Sequence, residues 1–161
     1  MKVSDIMTKD VVACKPSDRI EDVVKLMSEK NISGIPVVEG KKLVGMVTEA
    51  DILRILAAPP ESNTLWLPSP LEIILEIPFK ELVQLRRLQK EYKDVGENAV
   101  ETIMNRHVIS VAPDTDIEDA AAVMVKNNIN RLAVVEKDTL AGIIARDDII
   151  RGLSGHKKSQ E

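Results

Sequence analysis

The sequence predicts an α+β chain: two β-α-β-β-α repeats packed sheet to sheet about a pseudo-two-fold axis, with a helical insertion between them. Three observations predict it. Residues 3–56 align on residues 100–153 without a gap. Each copy carries an apolar stripe of helical period followed by two short β-branched runs. One copy of roughly 55 residues would bury too small a core alone, so the two should pack on each other.

The duplication is visible residue by residue when the chain is shifted by 97 positions. Val3, Ile6 and Met7 fall on Val100, Ile103 and Met104, and Pro16 falls on Pro113. Ile20, Glu21 and Asp22 fall on Ile117, Glu118 and Asp119, and Asn31 and Ile32 on Asn128 and Ile129. Gly45, Asp51, Ile52 and Arg54 match Gly142, Asp148, Ile149 and Arg151. About 20 of about 54 columns are identical, which marks a repeated structural unit.

Each unit opens on a short strand around Val11–Val12 or Val108–Ile109. Asp18 and Thr115 suit a helix N-cap, with Glu21 and Glu118 three residues on completing a capping box. Ile20, Val23, Val24 and Met27 then form one stripe, as do Ile117, Ala120, Ala121 and Met124. The runs Ile35–Val38 and Leu43–Val47 flank a polar turn and predict a hairpin, repeated at 132–135 and 140–144. A second helix starts near Thr48 or Ala145 and runs through residue 56 or 153.

This divides the chain into residues 1–58, an insertion at 59–98, residues 99–154, and a polar tail at 155–161 expected to be disordered. Prolines at 59, 60, 68, 70 and 78 punctuate the insertion, and Leu82, Val83, Leu85 and Leu88 predict a helix from Pro78 to about Tyr92. Its apolar residues are expected either to clasp the repeats or to help form a homodimer or partner interface.

Composition narrows the function. Net charge is −4 and no long Lys/Arg run occurs, which disfavours nucleic-acid binding. Aromatics are 2%, so the core must be aliphatic. Residues 65–83, the most apolar stretch, contain Glu72, Glu76, Lys80 and three prolines, unfit for a membrane span. The single cysteine, Cys14, reads as a small buried apolar residue, and with no signal peptide apparent a reducing cytoplasm is expected. No Gly-rich phosphate loop, metal-ligand spacing or nucleophile–base constellation points to catalysis.

The run Val44 Gly45 Met46 Val47 Thr48 Glu49 Ala50 Asp51, with Ile6 Met7 and Ser33 Gly34 Ile35 Pro36 Val37 Val38 upstream, resembles the CBS domain, named for cystathionine β-synthase. Two copies in register resemble a Bateman module; the likeness covers both repeats but not the insertion. The resemblance implies ligand clefts between paired units and regulation of an effector protein by AMP, ADP, ATP, S-adenosylmethionine or methylthioadenosine. It also implies a disc-like homodimer and no required cofactor.

A ribose needs a carboxylate to accept its vicinal hydroxyls, and Asp51 and Asp148 occupy the matching positions. Thr48, at the start of the second helix, has a hydroxyl able to donate to a phosphate; it is equally a sensible cap with Asp51 at N3. In the second repeat Ala145 replaces that Thr, Arg146 enters the first turn, and Arg131 replaces Gly34. The resemblance implies that an arginine at 131 meets a phosphate; the plainer alternatives are a solvated Arg131 and an Arg146 paired with Asp147 or Asp148. Two unlike clefts are therefore expected: one with Asp148 and Arg131 for a phosphorylated ligand, one with Thr48, Asp51, Ser33 and Gly34 for a nucleotide or less charged nucleoside. The resemblance further implies that the base lies beside Val11, Val12, Ile32 and Ile35 in one copy and Val108, Ile109, Ile129 and Leu132 in the other. All eight also suit a plain core.

A non-catalytic adenosyl-ligand sensor is thus the expected function. A protein-interaction adaptor with vestigial clefts is the alternative, and nucleic-acid binding a weaker one.

Overall fold

The computed structural model describes residues 1–57 and 95–155. The helix expected over Pro78–Tyr92, the rest of the insertion up to residue 94, and His156 onward lie outside the described residues. The chain forms α1 (Val3–Ile6), α2 (Ile20–Glu29), β1 (Gly34–Glu39), β2 (Lys42–Thr48) and α3 (Glu49–Ala57). A 3-10 turn at Val100–Thr102 leads into β3 (Ser110–Val111), α4 (Ile117–Asn127), β4 (Arg131–Glu136), β5 (Thr139–Ala145) and α5 (Arg146–Leu153).

The stripes read from the sequence face inward. Ile20, Val23 and Met27 of α2 are buried against Ile35, Val37 and Val47 in one core. Ala120 and Met124 of α4 are buried against Leu132, Val134 and Ile144 in the other. Asn31 and Asn128, in one repeat column, both take left-handed backbone (φ 50 and 51), which asparagine tolerates better than most side chains. They end the helices so that the next amide, Ile32 or Ile129, donates back to Met27 or Met124.

The expected caps sit one residue late. The N-caps are Arg19 and Asp116, without side-chain cap bonds. Asp18 Oδ2 instead accepts from Lys15 N at 2.8 Å, and Thr115 Oγ1 from Ala112 N at 3.1 Å. These short polar side chains close the loop before the helix, a role their geometry serves equally well.

The expected leading strands are slight. Cys14 makes a single parallel bridge to Val37, and β3 pairs in parallel with β4 at Ser110↔Ala133 and Val111↔Val134. The five strands form one sheet of order β1-β2-β5-β4-β3, its two hairpins joined at their turn ends by Lys42↔Thr139.

The halves are also held by an exchange of leading segments. Val3 N donates to Thr115 O and Thr8 pairs with Ile143, while Val100 N donates to Asp18 O and Asn105 pairs with Met46. Val3 is buried in the core of the second repeat, and Val100 and Met104 in the core of the first. Neither core is complete without its partner's leader.

Candidate functional site

The site is built where β2 and β5 hand over to α3 and α5. Asp51 Oδ2 accepts from Thr48 N at 2.8 Å and Thr48 Oγ1 at 2.9 Å. Asp148 Oδ2 accepts from Ala145 N at 2.9 Å. Each carboxylate thereby satisfies an amide that the helix start leaves without an intrahelical partner, where the helix dipole favours negative charge. The Thr48 hydroxyl, expected to donate to a phosphate, spends its proton on this cap.

Arg54 and Arg151, matched in the repeat and given no role from the sequence, close over the carboxylates. Arg54 Nη1 lies 3.0 Å from Asp51 Oδ1 and Arg151 Nη2 2.6 Å from Asp148 Oδ1. The Asp side chains are 11% and 5% exposed, those of the arginines 75% and 48%. The carboxylates are not solvent-facing acceptors awaiting a ligand; each is sheltered under an exposed cation. Their i,i+3 spacing is the signal that could have revealed the pairs.

Arg131 is neither a solvated surface charge nor confined to its own repeat. Its Nη1 donates to Gly34 O at 3.3 Å and its Nη2 to Ser33 Oγ. The residue is partly buried, and burial pulls its pKa below the usual guanidinium value against the opposing field of Glu49. Thus Arg131, assigned to one cleft, lies on Ser33 and Gly34, assigned to the other. Duplication explains it: residues 34 and 131 are column mates, and near a pseudo-two-fold axis column mates meet.

Arg146 likewise departs from the pairing with Asp147 or Asp148. Its backbone N donates to Asn130 O at 3.0 Å and its Nε to Ile129 O at 3.2 Å, tying α5 to the segment before β4. In the first repeat the matching backbone bond is Glu49 N to Ser33 O, also 3.0 Å.

The residues expected beside a base divide by burial. Ile35 and Leu132 are 0% exposed and fill the two cores, so they line no open cleft. Val12 and Ile32 are half-buried against the first core and Ile129 against the second, while Ile109 is 38% exposed. Among the described residues a groove of about 180 Å³ opens beside the hairpin ends, lined by Lys42, Val44, Arg106, Val108 and Asp138 among others. That is below the roughly 300–1,000 Å³ of pockets that engulf a small-molecule ligand. Neither Asp51 nor Asp148 lines it.

The CBS domain profile matches residues 3–58 and 100–155, the two repeats. The chain belongs to the CBS domain family. The CBS domain pair is 41% identical over 155 residues to the uncharacterized protein MJ1426 of Methanocaldococcus jannaschii, covering 95% of this chain and 91% of that one. It spans 40% of the length of a second protein of that organism, MJ1232, at 31% identity. Among solved structures it is similar to CBSX2 in complex with AMP, with a TM-score of 0.69, 27% identity and 98% of each chain covered. It is also similar to the CBS domain pair of protein MJ0100 in complex with 5′-methylthioadenosine and S-adenosyl-L-methionine, with a TM-score of 0.65, 26% identity and 98% of each chain covered. No helix among the described residues is long and apolar enough to cross a membrane.

Proposed function

We propose that this CBS domain pair is a non-catalytic regulatory module that binds an adenine nucleotide (AMP, ADP or ATP) or an S-adenosyl-type metabolite between its repeats. The observation that carries this is the matched placement of Asp51 and Asp148, each with Oδ2 fixed by a helix-start amide and Oδ1 against an exposed arginine. A ribose hydroxyl can replace the guanidinium at Oδ1 without disturbing the cap at Oδ2. The AMP complex of CBSX2 and the adenosyl complexes of MJ0100, over 98% of this chain, support the ligand class.

The ligand requires no protein-bound cofactor, and the net charge of −4 weighs against nucleic acid. The lone thiol, Cys14, is buried and suits a reducing cytoplasm. The partner is a second copy of the chain. Leu53 and Ile150, column mates on α3 and α5, are 61% and 66% exposed, so each repeat presents an aliphatic side chain at the same column, which suits an isologous mate.

Melting the protein with AMP, ADP, ATP, S-adenosylmethionine and methylthioadenosine tests the reading. Ligand at about 100 times its Kd should stabilise by about 2.7 kcal/mol. A panel in which none raises the melting temperature overturns it.

A further inference from the structure

The Arg131 side chain leaves the head of β4 and lies on the matching stretch Ser33–Gly34 at the head of β1. Nη1 and Nη2 each give a proton to the first repeat, at Gly34 O and Ser33 Oγ. A Cβ on Gly34 would stand 3.2 Å from Nη1 and 3.3 Å from Cδ and Nε, so the absence of a side chain at 34 makes the space for the arm. Ser33 O is in turn bonded to Glu49 N, the first residue of α3, as Asn130 O is to Arg146 N at the head of α5. The two segments on which Arg131 rests and from which it departs are therefore each tied to the helix start that carries a cleft carboxylate.

A guanidinium has five donors in one rigid plane, and two are held by the first repeat. With two donors spent on Ser33 and Gly34 and three left in the same rigid plane, a single guanidinium cannot present its full donor set to an anion beside Asp148 and to a phosphate beside Asp51 at once. Partial burial makes the choice consequential, because a poorly hydrated cation interacts with an anion more strongly than a solvated one.

We propose that Arg131 couples the two clefts negatively for anionic ligands. The cleft that captures the guanidinium holds its phosphate-bearing ligand, and the other then takes a second such ligand about tenfold more weakly than it would alone. Uncharged adenosyl ligands fill the two clefts independently. The inference rests on the ligand class proposed above.

Calorimetric titration of the full chain with AMP and with adenosine tests it. Without coupling, the product of the two stepwise Kd values equals the product of the single-cleft values from Asp51→Ala and Asp148→Ala. For AMP the wild-type product should be about tenfold the single-cleft product, for adenosine equal to it, and for AMP equal again once Arg131→Gln is added throughout. Arg131→Gly, which installs the first repeat's own residue in that column, should repeat the Gln result. Should either Asp→Ala chain fail to fold by circular dichroism, Asp→Asn keeps a cap acceptor and replaces it. Equal products for AMP in the wild type overturn the coupling alone. Failure of AMP and adenosine to bind, or two AMP sites in each single-cleft variant, overturns the site reading as well.

Discussion

A Cβ on Gly142 of β5 would stand 2.7 Å from Sδ of Met7, a residue of the other repeat's leading segment. The mirrored pair obeys the same rule, with a Cβ on Gly45 standing 2.6 Å from Met104 Sδ. Each glycine is the seat for the methionine that its partner repeat delivers.

The two seats are not equally forgiving. At Gly142 the added carbon also meets the backbone carbonyl of Thr8 at 2.9 Å, whereas at Gly45 the nearest backbone atom, Asn105 O, is 3.3 Å away. A methionine can swing aside, but the Thr8 carbonyl is held by Ile143 N at 2.9 Å. Gly142→Ala should destabilise by about 1–3 kcal/mol, as overpacking does, and Gly45→Ala by less. Urea denaturation of both variants checks the order.

Asp148→Ala should lower stability by about 1–2 kcal/mol even without ligand, because it leaves the Ala145 amide without its cap acceptor. Asp148→Asn should recover much of that, since an amide oxygen can still accept. Thermal melts of the apo proteins separate this structural part from any loss of ligand response. If Asp148→Ala melts with the wild type, the cap contributes nothing.

Cys14 is buried, and burial, with the field of Asp18 adding to it, lifts its pKa from 9.0 to about 12. The native thiol should resist disulfide reagents at pH 8 and react only on unfolding. Between pH 9.0 and about 12 the unfolded thiol is ionised while the folded one keeps its proton, so the unfolded state binds fewer protons and stability falls as pH rises. The slope from this group approaches about 1.4 kcal/mol per pH unit. Chemical denaturation across that range should show the slope in the wild type and lack it in Cys14→Ala; equal slopes would refute it.

What was legible in the chain, and what was not, follows from the kind of information a pattern holds. The stripes Ile20-Val23-Met27 and Ile117-Ala120-Met124 announce burial, and burial is what they show. Val3 and Val100 announce burial too, but period and column cannot say in whose core, so the exchange of leaders was invisible. Asp18 and Thr115 were misplaced by one residue because short polar side chains serve a turn or a cap alike. Sorting by repeat fails at the axis: the alignment sets Arg131 against Gly34 as a substitution, whereas in the fold the two are in contact. The alignment matches Asp51 to Asp148, but the column pattern alone does not show that the arginines three residues on cover both carboxylates.

The proposed homodimer is tested through Leu53 and Ile150. Each is a large aliphatic residue left mostly in water on the outer face of a helix whose other side carries Ile52 or Ile149 into a core. Leu153, 63% exposed one turn beyond Ile150, extends the patch on α5. Burying such side chains is worth about 1.5–3 kcal/mol each, and a two-fold mate buries every one of them twice. Wild-type protein should therefore sediment as a dimer whose melting temperature rises with concentration. Leu53→Glu combined with Ile150→Glu should sediment as a monomer with that dependence gone, while circular dichroism stays unchanged because neither side chain enters a core. A wild-type chain that sediments as a monomer at millimolar concentration would leave the patch without its proposed mate.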